Sequence, residues 1–218
     1  MTEDYRNTKY CPTLDNISNK KNAVKDAILL KHPRAKDMHS YISDNDGEYK
    51  MKFVEAYNGK CSYCGVSLEI IPLKMFEIDH FIPKEADRFE HSKAKASYIE
   101  NLVLSCYDCN RAKSSLESPD SDLHKINPDG SDITKSFYRD DDYYIRISDA
   151  VKDDETVKTF YEKLDLGNQF HRIDYLLLNM RGLCKKIKYD HPAYKDLLTA
   201  IELLQKKRNY SKKIVKFN

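Results

Sequence analysis

Four of the six cysteines form two close pairs with the spacing C-x-x-C. In a reducing compartment, paired thiols of this kind bind zinc more often than they form disulfides. A site closed by four thiolates leaves no position for a reacting water, so we expect a structural Zn²⁺ rather than a catalytic one. The ligands expected for it are Cys61, Cys64, Cys106 and Cys109. The other two, Cys11 and Cys184, stand alone, and we expect them to be ordinary buried thiols.

Asp79 and His80 are neighbours in the segment FEIDHFI, whose alternation predicts a strand over residues 76–82 that Pro83 closes. An imidazole titrates near neutrality and can take a proton from water. A carboxylate is a hard oxygen ligand for a divalent cation. Neighbours on a regular strand point to opposite faces, so the strand must bend here if both side chains face one substrate. The alternative is an ordinary surface pair.

The second cysteine pair lies at a junction between a predicted strand and a predicted helix. The apolar run NLVLSC predicts a strand over residues 101–106, and residues 108–116 predict a helix. Residues 84–99 between the two strands are polar and predict a loop with some helix. The central order is therefore a cysteine knuckle, a strand, a long loop, a strand, a second knuckle and a helix.

The segments CSYCG, FEIDHFIPK and NLVLSCYDCNRAKSS, in this order, resemble the zinc-containing branch of the HNH endonucleases over about residues 58–116. The resemblance implies an α+β fold with a ββα-metal core that hydrolyses phosphodiesters of nucleic acid. It implies that Asp79 binds a divalent metal and that His80 deprotonates the attacking water. Asn101 matches the family's middle Asn, which holds the loop between the strands and so orients the histidine.

Asn110 departs from the resemblance, because the family's most frequent residue at this position is His. An amide oxygen suits Mg²⁺ better than an imidazole does, so we expect Mg²⁺ at Asp79 and Asn110, with Mn²⁺ as an alternative. Arg111 and Lys113 follow on the first turn of the same helix. We expect them to bind phosphates of the substrate, and the alternative is that they are solvated helix charges.

The flanks of this core are predicted to be mainly helical. Residues 1–57 form an N-terminal helical segment, residues 58–116 the HNH core, and residues 117–218 a helical region with a short hairpin. Helices are predicted at 15–32, 47–56, 167–188 and 192–207, and the hairpin at 136–147. The sequence has no apolar run long enough for a bilayer and no signal peptide at its start, so we expect a cytoplasmic protein without a membrane partner.

The C-terminal end is basic although the net charge of the chain is only +2. Its run Lys206, Lys207, Arg208, Lys212 and Lys213 predicts contact with a nucleic-acid backbone, and docking of a partner protein is the competing interpretation. The layout of the chain looks similar to HNH proteins of bacterial antiphage systems, some of which work beside an ATPase of the ABC or SMC type.

The sequence therefore predicts an endonuclease in bacterial defence, with DNA favoured over RNA as the substrate. Two alternatives stay open, an RNA-cleaving HNH nuclease and a non-catalytic zinc-ribbon module that binds nucleic acid.

Overall fold

The computed structural model describes residues 3–44 and 47–214, and the side chains as far as residue 210. Within these residues the helices and strands follow one another as α1 (Ile17–Lys31), α2 (Met38–Ile42), α3 (Glu48–Ala56), β1 (Phe76–His80), β2 (Leu102–Cys106), α4 (Tyr107–Lys113), α5 (Leu123–Ile126), α6 (Ile133–Ser136), β3 (Phe137–Arg139), β4 (Ile145–Ile147), α7 (Glu155–Lys163), α8 (Gln169–Lys186) and α9 (Ala193–Ile214). The predicted α+β class is confirmed.

The centre of the molecule is an antiparallel pair of strands followed directly by a helix. β1 pairs with β2 in the register that sets Phe76 opposite Cys106 and His80 opposite Leu102. β2 is buried along its whole length, which its apolar sequence LVLSC permits on both faces. α4 begins at the residue after β2 and packs on both strands. The predicted strand–loop–strand–helix order is confirmed, although β1 ends two residues before the predicted limit.

The N-terminal helices cover one side of this centre. α1 buries Ile17, Lys21, Val24 and Ile28, whose spacing of three or four residues places them on one helix face. α1 and α3 pack together, and both were expected from the sequence. α2 was not predicted, because five residues are too few to show a helical period. Its N-cap is Asp37, whose carboxylate accepts a hydrogen bond of 3.2 Å from the backbone N–H of Ser40.

The three predicted segments share one hydrophobic core. The buried cluster contains Tyr5 and Ile28 from the first segment, Phe76 and Leu104 from the second, and Phe160 from the third. Buried polar contacts also join these parts. Arg6 donates to the carbonyl of Ser62 at 2.6 Å and to that of Pro128 at 2.7 Å, and Lys21 forms an ion pair with Asp129 at 2.5 Å. The division at residues 57 and 116 stays a prediction.

The C-terminal region contains the predicted hairpin, β3 with β4, and the two long helices α8 and α9, which pack against each other. α7 was missed, and its N-cap Asp154 accepts a hydrogen bond of 3.1 Å from the N–H of Val157. Gly182 lets α8 lie close to the N-terminal segment, since a Cβ there would lie 2.7 Å from Cys11 Sγ. Cys11 and Cys184 are partly exposed, so the expectation that both are buried was wrong.

The basic run near the C-terminus is only partly a surface feature. Arg208 is buried, and its guanidinium forms two hydrogen bonds to the carboxylate of Asp174 in α8. A buried and paired guanidinium is not free to contact phosphate, so the interpretation of Arg208 as part of a nucleic-acid surface was wrong. The side chains of Lys212 and Lys213 lie outside the described residues. No helix in the described part of the chain is long and apolar enough to span a bilayer.

Candidate active site and zinc centre

The thiols of the two cysteine pairs converge on one buried point. Their four Sγ atoms all lie within 4.8 Å of one another, and Cys64 Sγ lies 3.8 Å from Cys106 Sγ. A disulfide needs about 2.05 Å, so this spacing belongs to free thiols. Four sulfurs placed tetrahedrally about 2.3 Å from a Zn²⁺ are about 3.8 Å apart. The cluster therefore fits the zinc site that the sequence predicted.

The first knuckle depends on a glycine and on a bond to β2. Gly65 has φ +79°, and a Cβ on it would lie 2.6 Å from the carbonyl oxygen of Arg6, so any other residue would collide. The turn is closed by hydrogen bonds from Gly65 N to Cys61 O at 3.0 Å and from Cys61 N to Val66 O at 2.8 Å. Ser62 N donates to Leu104 O at 2.7 Å, which fixes the knuckle to β2.

Asp79 lies near the end of β1 and is 7% exposed. Its Oδ2 accepts a hydrogen bond of 2.6 Å from the Tyr63 hydroxyl and lies 3.3 Å from Lys113 Nζ. Burial raises the pKa of Asp79 to about 6, against the opposing effects of the Lys113 charge and the Tyr63 hydroxyl. Since Tyr63 lies between the two cysteines of the first knuckle, the zinc centre directly supports this carboxylate.

His80 is the last residue of β1, and its ring is held from two sides. It stacks on His39 of α2 with ring centroids 4.6 Å apart, and its Nε2 lies 3.3 Å from Ser97 Oγ in the inter-strand loop. Burial, together with the nearby His39 and the charge of Lys84, lowers the pKa of His80 to about 3. The imidazole is therefore neutral near pH 7, which is the form that can accept a proton.

Asn101 ties together the long loop between the strands. Its Nδ2 donates to the carbonyls of Ile82 at 2.8 Å and Ala96 at 2.9 Å, while its Oδ1 accepts from the N–H of Ile82 at 2.9 Å. These bonds join both ends of the loop that carries Ser97. Both the N–H donors and the oxygen acceptor of the Asn101 amide are therefore used within this loop.

Asn110 and Arg111 meet an acidic side chain that the sequence interpretation did not include. Asn110 Nδ2 donates to Glu77 Oε2 at 2.5 Å, and Arg111 Nη2 lies 3.1 Å from Glu77 Oε1. Glu77 and Asp79 are two residues apart on β1 and therefore share the strand face that α4 covers. The alternation of the strand was the signal that could have identified Glu77.

Lys113 does not lie where the expectation placed it. Its side chain is 2% exposed, and its Nζ donates to the carbonyls of His80 at 3.0 Å and Phe81 at 3.3 Å in addition to pairing with Asp79. An ammonium enclosed in this way holds the end of β1 and is not available to a substrate phosphate. Arg111, by contrast, has a side chain that is 64% exposed.

Two further residues beside His80 were missed from the sequence. His39 reaches the site only because α2 packs beside β1, where its Nε2 lies 3.2 Å from the carbonyl oxygen of Ile78. Burial lowers the pKa of His39, and the charge of Lys84 adds to this effect. Lys84 is exposed and has no ion-pair partner among the described residues. No local pattern in the sequence identifies either residue, since both act through spatial neighbours.

Comparison with known proteins identifies the central segment. Residues 61–116 match the family described as HNH endonuclease. A curated relative, Septu protein PtuA of Bacillus mycoides (strain KBAB4), is 31% identical to this chain over 93 residues. The match covers 38% of this chain and 13% of the relative, so the chain spans a small part of that protein's length. No solved structure matches the chain. An HNH endonuclease domain therefore occupies residues 61–116, with a four-cysteine cluster that fits zinc.

Proposed function

We propose that this protein is a metal-dependent endonuclease that hydrolyses phosphodiester bonds of nucleic acid, with DNA favoured over RNA. The observation that carries the proposal is the His80 imidazole at the end of β1, which His39 and Ser97 contact and which directly follows the buried carboxylate of Asp79. A binding module needs no general base, whereas hydrolysis of a phosphodiester requires an activated water.

His80 acts as the general base in this proposal. In the tautomer that carries its proton on Nε2, His80 donates to Ser97 Oγ, and the Nδ1 lone pair is left for the proton of the attacking water. The water oxygen forms a bond to phosphorus while the bond from phosphorus to the leaving sugar oxygen breaks. The proton passes to Nδ1, and the leaving oxygen takes a proton from solvent. Stacking on His39 and the bond to Ser97 keep the ring in one orientation during this step.

Asp79 and Asn110 would supply oxygen atoms for a divalent cation. With Asn110 Nδ2 bonded to Glu77, the amide oxygen of Asn110 is left to act as a ligand. Oxygen donors of this kind suit Mg²⁺, and Mn²⁺ is accepted by similar sites. A bound cation would neutralise charge on the phosphate and on the leaving oxygen. Glu77 lies next to this group and places its carboxylate within reach of Asn110 and Arg111.

The phosphates of the substrate meet two exposed cations in this proposal. Arg111 lies on α4, beside the oxygen ligands, and Lys84 lies in the loop close enough to His80 and His39 to affect the pKa of both. Lys84 takes the phosphate-binding role that the sequence predicted for Lys113. Lys113 is buried and bonds the carbonyls at the end of β1 instead. Contacts of this type go mainly to the backbone, so they leave the choice between DNA and RNA to neighbouring surfaces.

The test is to incubate the purified protein with plasmid, single-stranded DNA and RNA, in Mg²⁺ or in EDTA. We expect Mg²⁺-dependent cleavage, stronger on DNA, and a loss of at least ~10²-fold in the His80→Ala variant, because general-base catalysis contributes about 10²–10⁴-fold. His91→Ala is the matched control, since His91 lies in the same loop and is exposed. Cleavage of RNA alone would identify an RNase, and binding without cleavage would identify the zinc-ribbon module.

We further propose that the nuclease acts in bacterial antiphage defence beside an ATPase of the ABC or SMC type. This part is supported by the resemblance of the chain's layout to HNH proteins of such systems, and a Septu protein is among the relatives that match. Cells carrying the gene should resist phage, and the His80→Ala variant should remove that resistance. Affinity purification from these cells should recover the ATPase. Resistance that persists in the His80→Ala variant would contradict the proposed role of the nuclease.

A further inference from the structure

A small pocket near the candidate active site takes no part in the proposed hydrolysis of the phosphodiester. It has a volume of about 180 Å³ and lies between α1, the connection from α1 to α2, and the turn before β2. Its walls include the apolar side chains of Leu29, Ala35 and Met38, and the ring of Tyr98. A dry cavity of roughly 150 Å³ holds a benzene ring with room to spare, so this pocket has the size for a flat aromatic group such as a nucleobase.

Two of the pocket residues are chain neighbours of the side chains that hold His80. Met38 precedes His39, which stacks on the His80 ring, and Tyr98 follows Ser97, whose Oγ lies 3.3 Å from His80 Nε2. Consecutive Cα atoms are about 3.8 Å apart. The pocket is therefore joined through the chain to both residues that contact the ring of the candidate base.

The chemistry of the pocket suits a flat ring joined to an anion. Tyr98 is 41% exposed, and its ring forms no aromatic or cation–π contact among the described residues. Lys36 lines the pocket, is exposed, and forms no ion pair in that same part of the chain. Lys25 and Glu100 also line it, but they neutralise each other in an ion pair of 3.0 Å. The pocket thus combines an unstacked aromatic face, an apolar floor and one free positive charge.

We propose that this pocket binds one unpaired nucleobase of the strand that is cut, with Tyr98 stacked on the base and Lys36 at its phosphate. The proposal rests on the proposed nuclease function and adds a substrate class to it. A base held in the pocket cannot also pair within a duplex, so the enzyme acts where a nucleotide is single-stranded, mismatched or at an end. An apolar side chain of a partner protein would also fit the floor, but it would leave Lys36 without an anion.

The experiment measures binding without cleavage. Single-stranded DNA and RNA oligonucleotides that carry one 2-aminopurine are titrated with the zinc-loaded full chain in buffer without Mg²⁺ or Mn²⁺, and fluorescence quenching reports stacking. We expect quenching that is lost in Tyr98→Ala, with binding weaker by about 5- to 150-fold, the range for loss of one base–aromatic stack. Tyr98→Phe keeps the ring and should keep the quenching, while Ala35→Phe should fill the pocket and abolish it.

Tyr138→Ala is the matched control, because Tyr138 is 42% exposed but lies on β3. Thermal melts confirm that each variant is folded. Equal quenching in wild type, Tyr98→Ala and Ala35→Phe would overturn the proposal, as would a Tyr98→Ala variant impaired only in recovery of a partner protein. Cleavage assays distinguish failure of the pocket proposal from failure of the proposed nuclease function. If the wild type quenches the fluorescence but does not cleave, the pocket proposal stands and the nuclease function is refuted. If it cleaves normally without quenching, the nuclease function stands and the pocket proposal is refuted.

Discussion

At the scale of single residues, the candidate base is defined by what holds its ring. His80 stands at a strand end, where the backbone alone does not determine the ring orientation, and its contacts come from α2 and from the inter-strand loop. An imidazole that is misplaced by about 1 Å can cost on the order of 100-fold in rate. Both contacting residues are therefore expected to influence turnover without touching the substrate.

His39 is predicted to be a positioning residue for His80. His39→Ala removes the stacked ring, and kcat should fall by roughly 10- to 100-fold while KM changes little, because the base is still present but less well oriented. His39→Phe retains a ring of similar size and should restore most of the rate. Steady-state kinetics on one oligonucleotide measure both variants. A phenylalanine variant as slow as the alanine variant would show that stacking is not what matters.

The acid limb of activity is predicted to come from Asp79 rather than from His80. Above a pH of about 6 Asp79 is ionised and can bind a cation, and below it the carboxyl holds a proton that a cation must displace. His80, with its pKa lowered to about 3, stays neutral across this range. Raising Mg²⁺ should therefore shift the acid limb to lower pH in a rate-against-pH series. A limb that stays in place at all Mg²⁺ concentrations would contradict the assignment.

At the scale of elements, the first cysteine knuckle supports the candidate active site as well as the fold. It holds β2 through Ser62 and carries Tyr63, whose hydroxyl is bonded to Asp79. Loss of the knuckle would therefore disturb the β1–β2 pair, α4 and the carboxylate of Asp79 together.

The purified protein should contain about one Zn²⁺ per chain, and Cys106→Ser should unfold it. Structural Zn²⁺ contributes on the order of 10 kcal/mol, which is comparable to the whole stability of a domain of this size. Cys184→Ser is the control, since that thiol lies outside the cluster. Elemental analysis and circular dichroism measure the two properties. A metal-free wild type with a sharp, reversible melting transition would refute this prediction.

At the scale of the whole molecule, buried ion pairs join segments that are far apart in sequence. Lys21 with Asp129 connects α1 to the segment after α5, and Arg208 with Asp174 connects α9 to α8. Burying a charge is costly unless it is paired, so each partner depends on the other. As far as residue 210, α9 has few buried residues, and the exposed leucines at positions 198 and 203 show that apolar packing covers little of this part of the helix.

Arg208→Ala should lower the free energy of unfolding by roughly 3–5 kcal/mol, because it leaves Asp174 buried without its partner. Lys206→Ala is the control. Lys206 pairs with Glu202 at the surface of α9, where such a pair contributes about 0–1 kcal/mol. Denaturant unfolding curves give both values. The double change Arg208→Met with Asp174→Leu should recover most of the loss, and equal effects of the two single alanine variants would contradict the prediction.

The sequence by itself determined the parts of this protein that depend on near neighbours in the chain. Each C-x-x-C turn brings its own two thiols together within four residues, so both halves of the cysteine cluster were predictable, as were the strands β1 and β2 and the helix that follows. The match of residues 61–116 to the HNH endonucleases rests on the same local segments. In segments this short, the residues that interact lie close together along the chain, so few other local conformations compete.

Only the tertiary structure decided where the long charged side chains point and which residues meet across the core. Lys113 and Arg208 point inward because each pairs with a buried carboxylate on another element. These carboxylates are Asp79 on β1 and Asp174 on α8. His39 meets His80 because α2, too short to show a period, packs beside β1. A flexible side chain follows the electrostatics of its surroundings, and those surroundings exist only after segments distant in sequence have packed together.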